Sequence, residues 1–193
     1  MVRGDKQWTG LDSDNVASSV DDIVFCNGVF FALDSFGAIY HCELDPNPKT
    51  VPLCSSSPFR YDRCKKYFAE SEYGKLWVVL KKLELNDDND FAIYFEIYEF
   101  NSETKEWTIV RSLRGKALFL SSHGNGRCIA ASAGESRPRE FIKDNSIYFV
   151  DGEDANFGSG SLNLSVFEWE SKQTRKLYQP RSWNCHMFWV TPT

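Results

Sequence analysis

Three times along this chain a small turn residue is followed by an aliphatic-aromatic segment, a break, and a second segment of the same kind. The copies read Asn27-Gly28-Val29-Phe30-Phe31-Ala32-Leu33, Tyr73-Gly74-Lys75-Leu76-Trp77-Val78-Val79 and Asp144-Asn145-Ser146-Ile147-Tyr148-Phe149-Val150. Their partners run Ala38 to Leu44, Phe91 to Phe100 and Leu162 to Trp169. Recurrence of one hairpin-like unit predicts an array of small sheets. Such arrays present surfaces more often than they cradle a reactive side chain.

The punctuation between the units supports this. Gly, Pro, Asn and Asp return every ten residues or so, the spacing of all-β sandwiches, barrels and propellers. No segment of useful length carries apolar residues at helical spacing. Asn27-Gly28 is a tight-hairpin dipeptide. In the segment after it, Ala38, Tyr40, Cys42 and Leu44 alternate as on a half-buried strand. Asp45 to Pro58 holds four prolines and three consecutive serines, and reads as a loop. Further short strands are expected at Lys66–Ser71, Lys75–Leu85, Trp107–Val110, Ala117–Leu120 and Cys128–Ala133, with Met187–Val190 as a last candidate. Polar turns ending on an aromatic, Phe100 to Trp107 and Trp169 to Tyr178, favour propeller blades over a sandwich. The expected fold is therefore all-β, a partial or irregular β-propeller of short antiparallel sheets. Residues 1–193 read as a single domain, without an internal boundary.

Aromatic residues make up 15% of the chain, a composition suited to pleated, half-buried surfaces. The net charge of −5 disfavours a phosphate backbone as partner, so no nucleic acid is expected. The basic stretches Arg111 to Lys116 and Arg137 to Lys143 are short and interrupted, and read as solvated loop charge. No stretch is long or apolar enough to span a membrane. Six cysteines at irregular spacings, without a preceding apolar leader, read as free thiols in a reducing compartment.

Chemistry finds little purchase. His41-Cys42 and Cys185-His186 are adjacent pairs, and neighbours on a strand point to opposite faces. No Cys-x-x-Cys spacing is present, so no metal is expected. The Asp/Asn/Gly-rich loop from Asp151 to Gly160 lacks the closing Glu of an EF-hand. His41, His123 and His186 are the available histidine bases, and no Gly-x-Ser-x-Gly elbow accompanies them. Gly158-Ser159-Gly160 lacks the Lys and helix of a phosphate loop. The expectation is a protein that is not an enzyme and needs no cofactor.

Asp22-Ile23-Val24-Phe25, Gly28, Phe30 to Asp34 and Gly37-Ala38-Ile39-Tyr40 resemble the plant F-box-associated β-propeller family of KIB-type proteins, long catalogued as a domain of unknown function. Further blocks follow in family order. They are Tyr67 to Ser71 with Gly74 and Leu76, Lys105-Glu106-Trp107-Thr108, Ser112-Leu113, Ala117 to Leu120, Asn145 to Phe149, and Pro180 to Pro192 with Trp183 and Trp189. The resemblance implies kinship with substrate receptors of plant ubiquitin ligases. It also implies a departure, because nothing here resembles the F-box that docks the ligase adaptor. The chain reads as the C-terminal part of the family domain, and its three repeat units fall short of a closed ring. Binding to the F-box adaptor is accordingly not expected.

The functional expectation is protein recognition without catalysis, the target being unspecified by sequence. Propeller rims are loops, and partners dock on aromatic and Arg anchors there. Arg137 and Arg139 beside Pro138, Phe157 in its Gly-rich loop, and Trp183 near Pro180 are the candidate binding residues. The alternatives are a small-ligand or carbohydrate-binding β module, for which the Trp and Tyr content speaks, and a truncated gene product without independent function. Cytoplasm or nucleus is the expected location.

Overall fold

The computed structural model describes residues 10–11, 16, 19–44, 47–54, 57–59, 64–71, 73–85, 91–120, 126–130, 142–151 and 163–178, with backbone alone at 126–130 and 151. Among these residues lie thirteen strands and no helix: β1 (Val20–Cys26), β2 (Val29–Asp34), β3 (Ile39–Glu43), β4 (Lys49–Cys54), β5 (Lys65–Glu70), β6 (Leu76–Leu85), β7 (Phe91–Asn101), β8 (Glu106–Ile109), β9 (Lys116–Leu120), β10 (Gly126–Ala130), β11 (Ser146–Asp151), β12 (Asn163–Glu168) and β13 (Gln173–Tyr178). The all-β architecture expected from the turn spacing is the one observed.

The strands form three antiparallel meanders. β1 to β4 make a four-stranded sheet of their own. β5 to β8 and β11 to β13 are the second and third meanders, and the hairpin β9–β10 joins them into one nine-stranded sheet. It does so by parallel pairing on both sides, β10 with β5 and β9 with β11. This bridge makes the array irregular.

The middle meander explains the most apolar run in the sequence. Leu76 to Lys81 is buried at every position, where a one-faced strand would alternate. Two cores account for it. Phe68, Leu76, Val78, Leu80 and Phe100 pack with Val24, Leu33, Ile39 and Phe59 of the first meander's side. Tyr67, Ala69, Trp77, Val79, Phe95 and Ile97 face the other way, onto Leu118, Leu120, Ile147, Phe149 and Phe167. A sheet covered on both faces needs apolar residues in both alternating sets. β1 shows the opposite pattern. Val24 and Cys26 are buried, while Ile23 and Phe25 are more than half exposed.

One expectation needs correcting. Asp45 to Pro58 is not all loop, because β4 occupies Lys49 to Cys54 with Pro52 opposite Tyr40. β4 is the edge of its sheet, and an edge strand tolerates a residue without N–H. β13 follows the Trp169–Lys172 turn and extends through Tyr178. All its residues are exposed, so its sequence carries no burial alternation. Met187–Val190 lies outside the described residues.

A buried carboxylate ties the first two meanders together. Asp22, 7% exposed, accepts a 2.7 Å hydrogen bond from the Phe68 N–H of β5 and a 2.8 Å bond from Ile23 N–H. Phe68 lies one residue before the parallel pairing of β5 with β10 begins. The side chain of Asp22 thus serves as the acceptor where that pairing stops. Burial pushes its carboxyl up to about 6, against the lowering effect of the two N–H donors.

Candidate functional site

An antiparallel meander sends its turns alternately to the two ends of the array, so every second turn shares one end. The turns after β1, β5, β7 and β12 all lie there, with the starts of β9 and β11. Among the described residues, five non-glycine positions have left-handed backbone: Asn27, Lys105, Arg114, Asn145 and Lys172. All five belong to this end. Turns this short require positive φ, and Asn bears it most readily.

Side chains lock the turns to one another. Asn27 Nδ2 donates to Gly74 O at 2.7 Å, and Cys26 Sγ contacts the same carbonyl at 3.1 Å. A Cβ on Gly74 would lie 2.7 Å from Asn27 Oδ1, so glycine is what allows this approach. Asn145 Oδ1 accepts from Gly115 N–H at 2.9 Å, and Asn145 O accepts from Trp169 N–H at 2.8 Å. Trp169 Nε1 donates to Arg111 O at 3.0 Å.

A hollow of about 350 Å³ opens on this surface, lined by Tyr73, Lys75, Trp77, Glu99, Arg111, Arg114 and Lys116 among others. A neighbouring hollow of about 500 Å³ shares Tyr73, Lys75 and Glu99 with it and extends over Asn27, Phe31 and Asn101. Glu99 is the hub. It pairs with Lys75 at 2.6 Å and accepts from Trp77 Nε1 at 3.0 Å. Burial acts against its charge, but those bonds and the charges of Lys75 and Arg114 prevail and hold its carboxyl below the usual range. Tyr73 is 73% exposed, and Lys116 Nζ lies 4.5 Å from its ring centroid. On the far side, Lys172 Nζ sits 4.2 Å from the Trp169 ring centroid, and burial lowers its pKa.

This is an arrangement for contact. Its cations and the exposed ring of Tyr73 can grip a partner's carboxylates and apolar groups. Among the described residues, neither histidine nor a cation-activated thiol lines the 350 Å³ hollow, and burial pushes the Cys26 thiol of its neighbour up. Among the described residues no group of three or more His, Cys, Asp and Glu side chains could hold a metal ion. Among them, too, no helix is long and apolar enough to cross a membrane. Arg137, Arg139, Phe157 and Trp183, the residues singled out in the sequence, lie outside the described residues. The stretch Arg111 to Lys116, read there as solvated charge, borders the hollow with Arg111 and Arg114 exposed. Its one available signal is Leu113, an apolar residue set among bases and 1% exposed in the structure.

Comparison with known proteins places the architecture. The KIB1-4 beta-propeller family model matches residues 1–168. This chain belongs to the KIB1-4 beta-propeller family. Among curated proteins it is 74% identical over 193 residues to the "Putative F-box protein At5g55150" of Arabidopsis thaliana, covering 99% of this chain and 52% of the relative. It is 25% identical to "F-box protein At2g17036" (97% of this chain, 48% of the relative) and 26% identical to "F-box protein SKIP23" (97% and 48%), both of the same plant. The chain thus spans about half the length of the curated relatives it matches. No solved structure matches it. The sequence resemblance to plant F-box-associated propellers is thereby shown, and with it the propeller reading of the three meanders. Family and relatives together suggest a non-catalytic, protein-interaction module of F-box proteins.

Proposed function

We propose that this chain is a protein-recognition domain that captures its target at the short-turn end, with no catalytic step. The observation that carries the reading is the locked set of turns around the two hollows. The contact side chains there stand on backbone already fixed by Asn27, Asn145 and Trp169. Preorganised anchors lose little entropy on binding, which favours specific association. By kinship with F-box proteins, the target would be a substrate of a plant ubiquitin ligase. The adaptor would be bound by an F-box elsewhere and not by this domain. Residues 1–193 would act as one unit, in the cytoplasm or nucleus.

The test is photo-crosslinking from a probe placed at Ser102, on the rim of the larger hollow, in plant extract. Reproducible capture of one protein, absent from a probe placed on β13, is the expected result. Thermal-shift screening against sugars and plant metabolites forms the second arm. A ligand that raised the melting temperature, with no protein captured, would replace this reading by the small-ligand one.

A further inference from the structure

Among the described residues, the 350 Å³ hollow is lined by four cationic side chains, Lys75, Arg111, Arg114 and Lys116, and by one carboxylate, Glu99. Glu99 is already engaged by Lys75 and Trp77. Arg111 and Arg114 are exposed, and neither guanidinium makes an ion pair among the described residues. This excess of positive charge sits on a chain whose net charge is −5. The sign of the hollow's described lining is thus opposite to that of the molecule.

The backbone that carries the arginines is pinned along its length. Arg111 O accepts from Trp169 Nε1, Leu113 is buried in the core, and Lys116 N–H bonds Leu113 O at 3.2 Å. Arg114 N–H bonds Ser112 Oγ at 3.1 Å, and Gly115 N–H is held by Asn145. Arg114 itself has φ 52° and is followed by Gly115 at φ 74°. A bulky residue in left-handed backbone costs energy that a glycine or asparagine would spare. Tyr73 supplies an exposed aromatic wall beside these cations.

We infer that this hollow binds an acidic segment of the protein partner, its carboxylates paired with Arg111 and Arg114 and its flank laid on Tyr73. The inference rests on the recognition reading above and gives it a chemistry. Guanidinium–carboxylate pairing is directional and often bidentate, which suits a surface meant to choose a sequence. Glu103 lines the adjoining hollow and the chain as a whole is acidic, so the cations of the described lining stand as a short patch. A short acidic peptide fits that pattern, and a continuous polyphosphate backbone does not.

The test uses the 193-residue chain and three fluorescein-labelled twelve-residue peptides, of Glu and Ser, of Gln and Ser, and of Lys and Ser, read by fluorescence anisotropy. The Glu peptide should bind and the other two should not, and raising salt should weaken binding. Arg111→Glu with Arg114→Glu should cut the affinity roughly tenfold or more, while Arg111→Lys with Arg114→Lys should cut it less. Circular dichroism and melting temperature confirm that each variant is folded. Equal binding of the Glu and Gln peptides would overturn the inference, as would a folded Glu double variant that binds undiminished. Target capture at Ser102 that survives the double variant would also overturn it, yet leave protein recognition standing. Loss of specific capture by the parent chain would instead remove the recognition reading itself.

Discussion

Replacing Asp22 by Asn tests whether desolvation or hydrogen bonding governs the carboxylate between the first two meanders. In the folded chain its carboxyl is raised from 3.8 to about 6. The cause is burial, which outweighs the two N–H donors; the neighbouring charges of Asp21 and Lys65 act in opposite directions. A raised folded pKa means that the folded state holds its proton more tightly than the unfolded chain does. The resulting stabilisation is complete below 3.8 and disappears as pH rises through about 6. At about 1.4 kcal/mol per pKa unit, the full span is about 3 kcal/mol.

Asn cannot ionise, so Asp22→Asn removes this term. It keeps one oxygen for Phe68 N–H and leaves Ile23 N–H to solvent, as a protonated Asp would. Urea unfolding of both proteins from pH 4 to pH 8 measures the difference. The two should be nearly equal in stability near pH 4, and the variant should gain steadily up to about pH 7. Glu99 and Glu168 have lowered pKa values and add acid sensitivity, but they are common to both proteins and cancel in the difference. A flat difference would show that the carboxyl is not perturbed. A variant that becomes relatively weaker as pH rises would show that the hydrogen bonds dominate, and the argument from burial would be wrong. Asp22→Ala, which strands the Phe68 N–H, should cost roughly 1–3 kcal/mol even at low pH.

Phe95 meets Phe149 and Phe167 with ring centroids 5.0 and 5.2 Å away, so Phe95→Ala should cost roughly 3–5 kcal/mol in chemical denaturation. Gly37 has φ 82° and a Cβ there would lie 2.7 Å from the Phe59 ring, so Gly37→Ala should cost roughly 2–4 kcal/mol by strain and overpacking and lower the melting temperature. Glu99→Gln should cost under about 1 kcal/mol at pH 7, because the Lys75 pair is partly exposed. Since the folded pKa of Glu99 is lowered, that cost should vanish as pH falls through the carboxylate range, as unfolding curves at pH 7 and pH 3 would show.

What the sequence revealed follows from what each strand buries. β6 and β11 stand out because their meanders place both alternating sets of side chains in a core, giving Leu76-Trp77-Val78-Val79-Leu80 and Ile147-Tyr148-Phe149-Val150. Asn27-Gly28 declares its turn because few dipeptides accept φ values of 50° and 82° together. β4 and β13 were hidden because edge strands need neither alternation nor a full set of N–H groups, and Pro52 and Gln173-Thr174-Arg175-Lys176 read as loop. The bridge of β9–β10 to β5 rests on two residue pairs between segments far apart in sequence, Gly126 with Ala69 and Arg127 with Glu70. No local pattern encodes such a pairing. The hollow could not be read from the sequence for a related reason. Arg111 to Lys116 is an ordinary basic stretch until Trp169 and Asn145, thirty or more residues away, fix its backbone over a hollow.

Binding residues are commonly sought on the long connections of a propeller, where sequence is free to vary. On the reading proposed above, the cross-linked turns would offer a different means of recognition. Asn27-Gly28 cannot rearrange without breaking its hairpin, and the longer connections that carry Tyr73, Arg111 and Arg114 are tied down by hydrogen bonds from Asn27, Asn145 and Trp169. Cross-links such as Asn27 to Gly74 and Asn145 to Gly115 extend that constraint from one meander to the next. A partner that meets Tyr73, Arg111 and Arg114 together therefore meets groups whose relative positions were settled by folding. The ordering entropy is spent before the encounter, and selectivity depends on whether the partner's charges match the fixed spacing. It follows that loosening a turn without touching a contact residue should weaken binding. Asn145→Ala, which frees Gly115 N–H while leaving Arg111 and Arg114 intact, should reduce affinity for the acidic peptide several-fold, chiefly through a faster off-rate. Unchanged dissociation kinetics in that variant would mean that the arginines act as independent solvated charges and that the rigidity of this end plays no part.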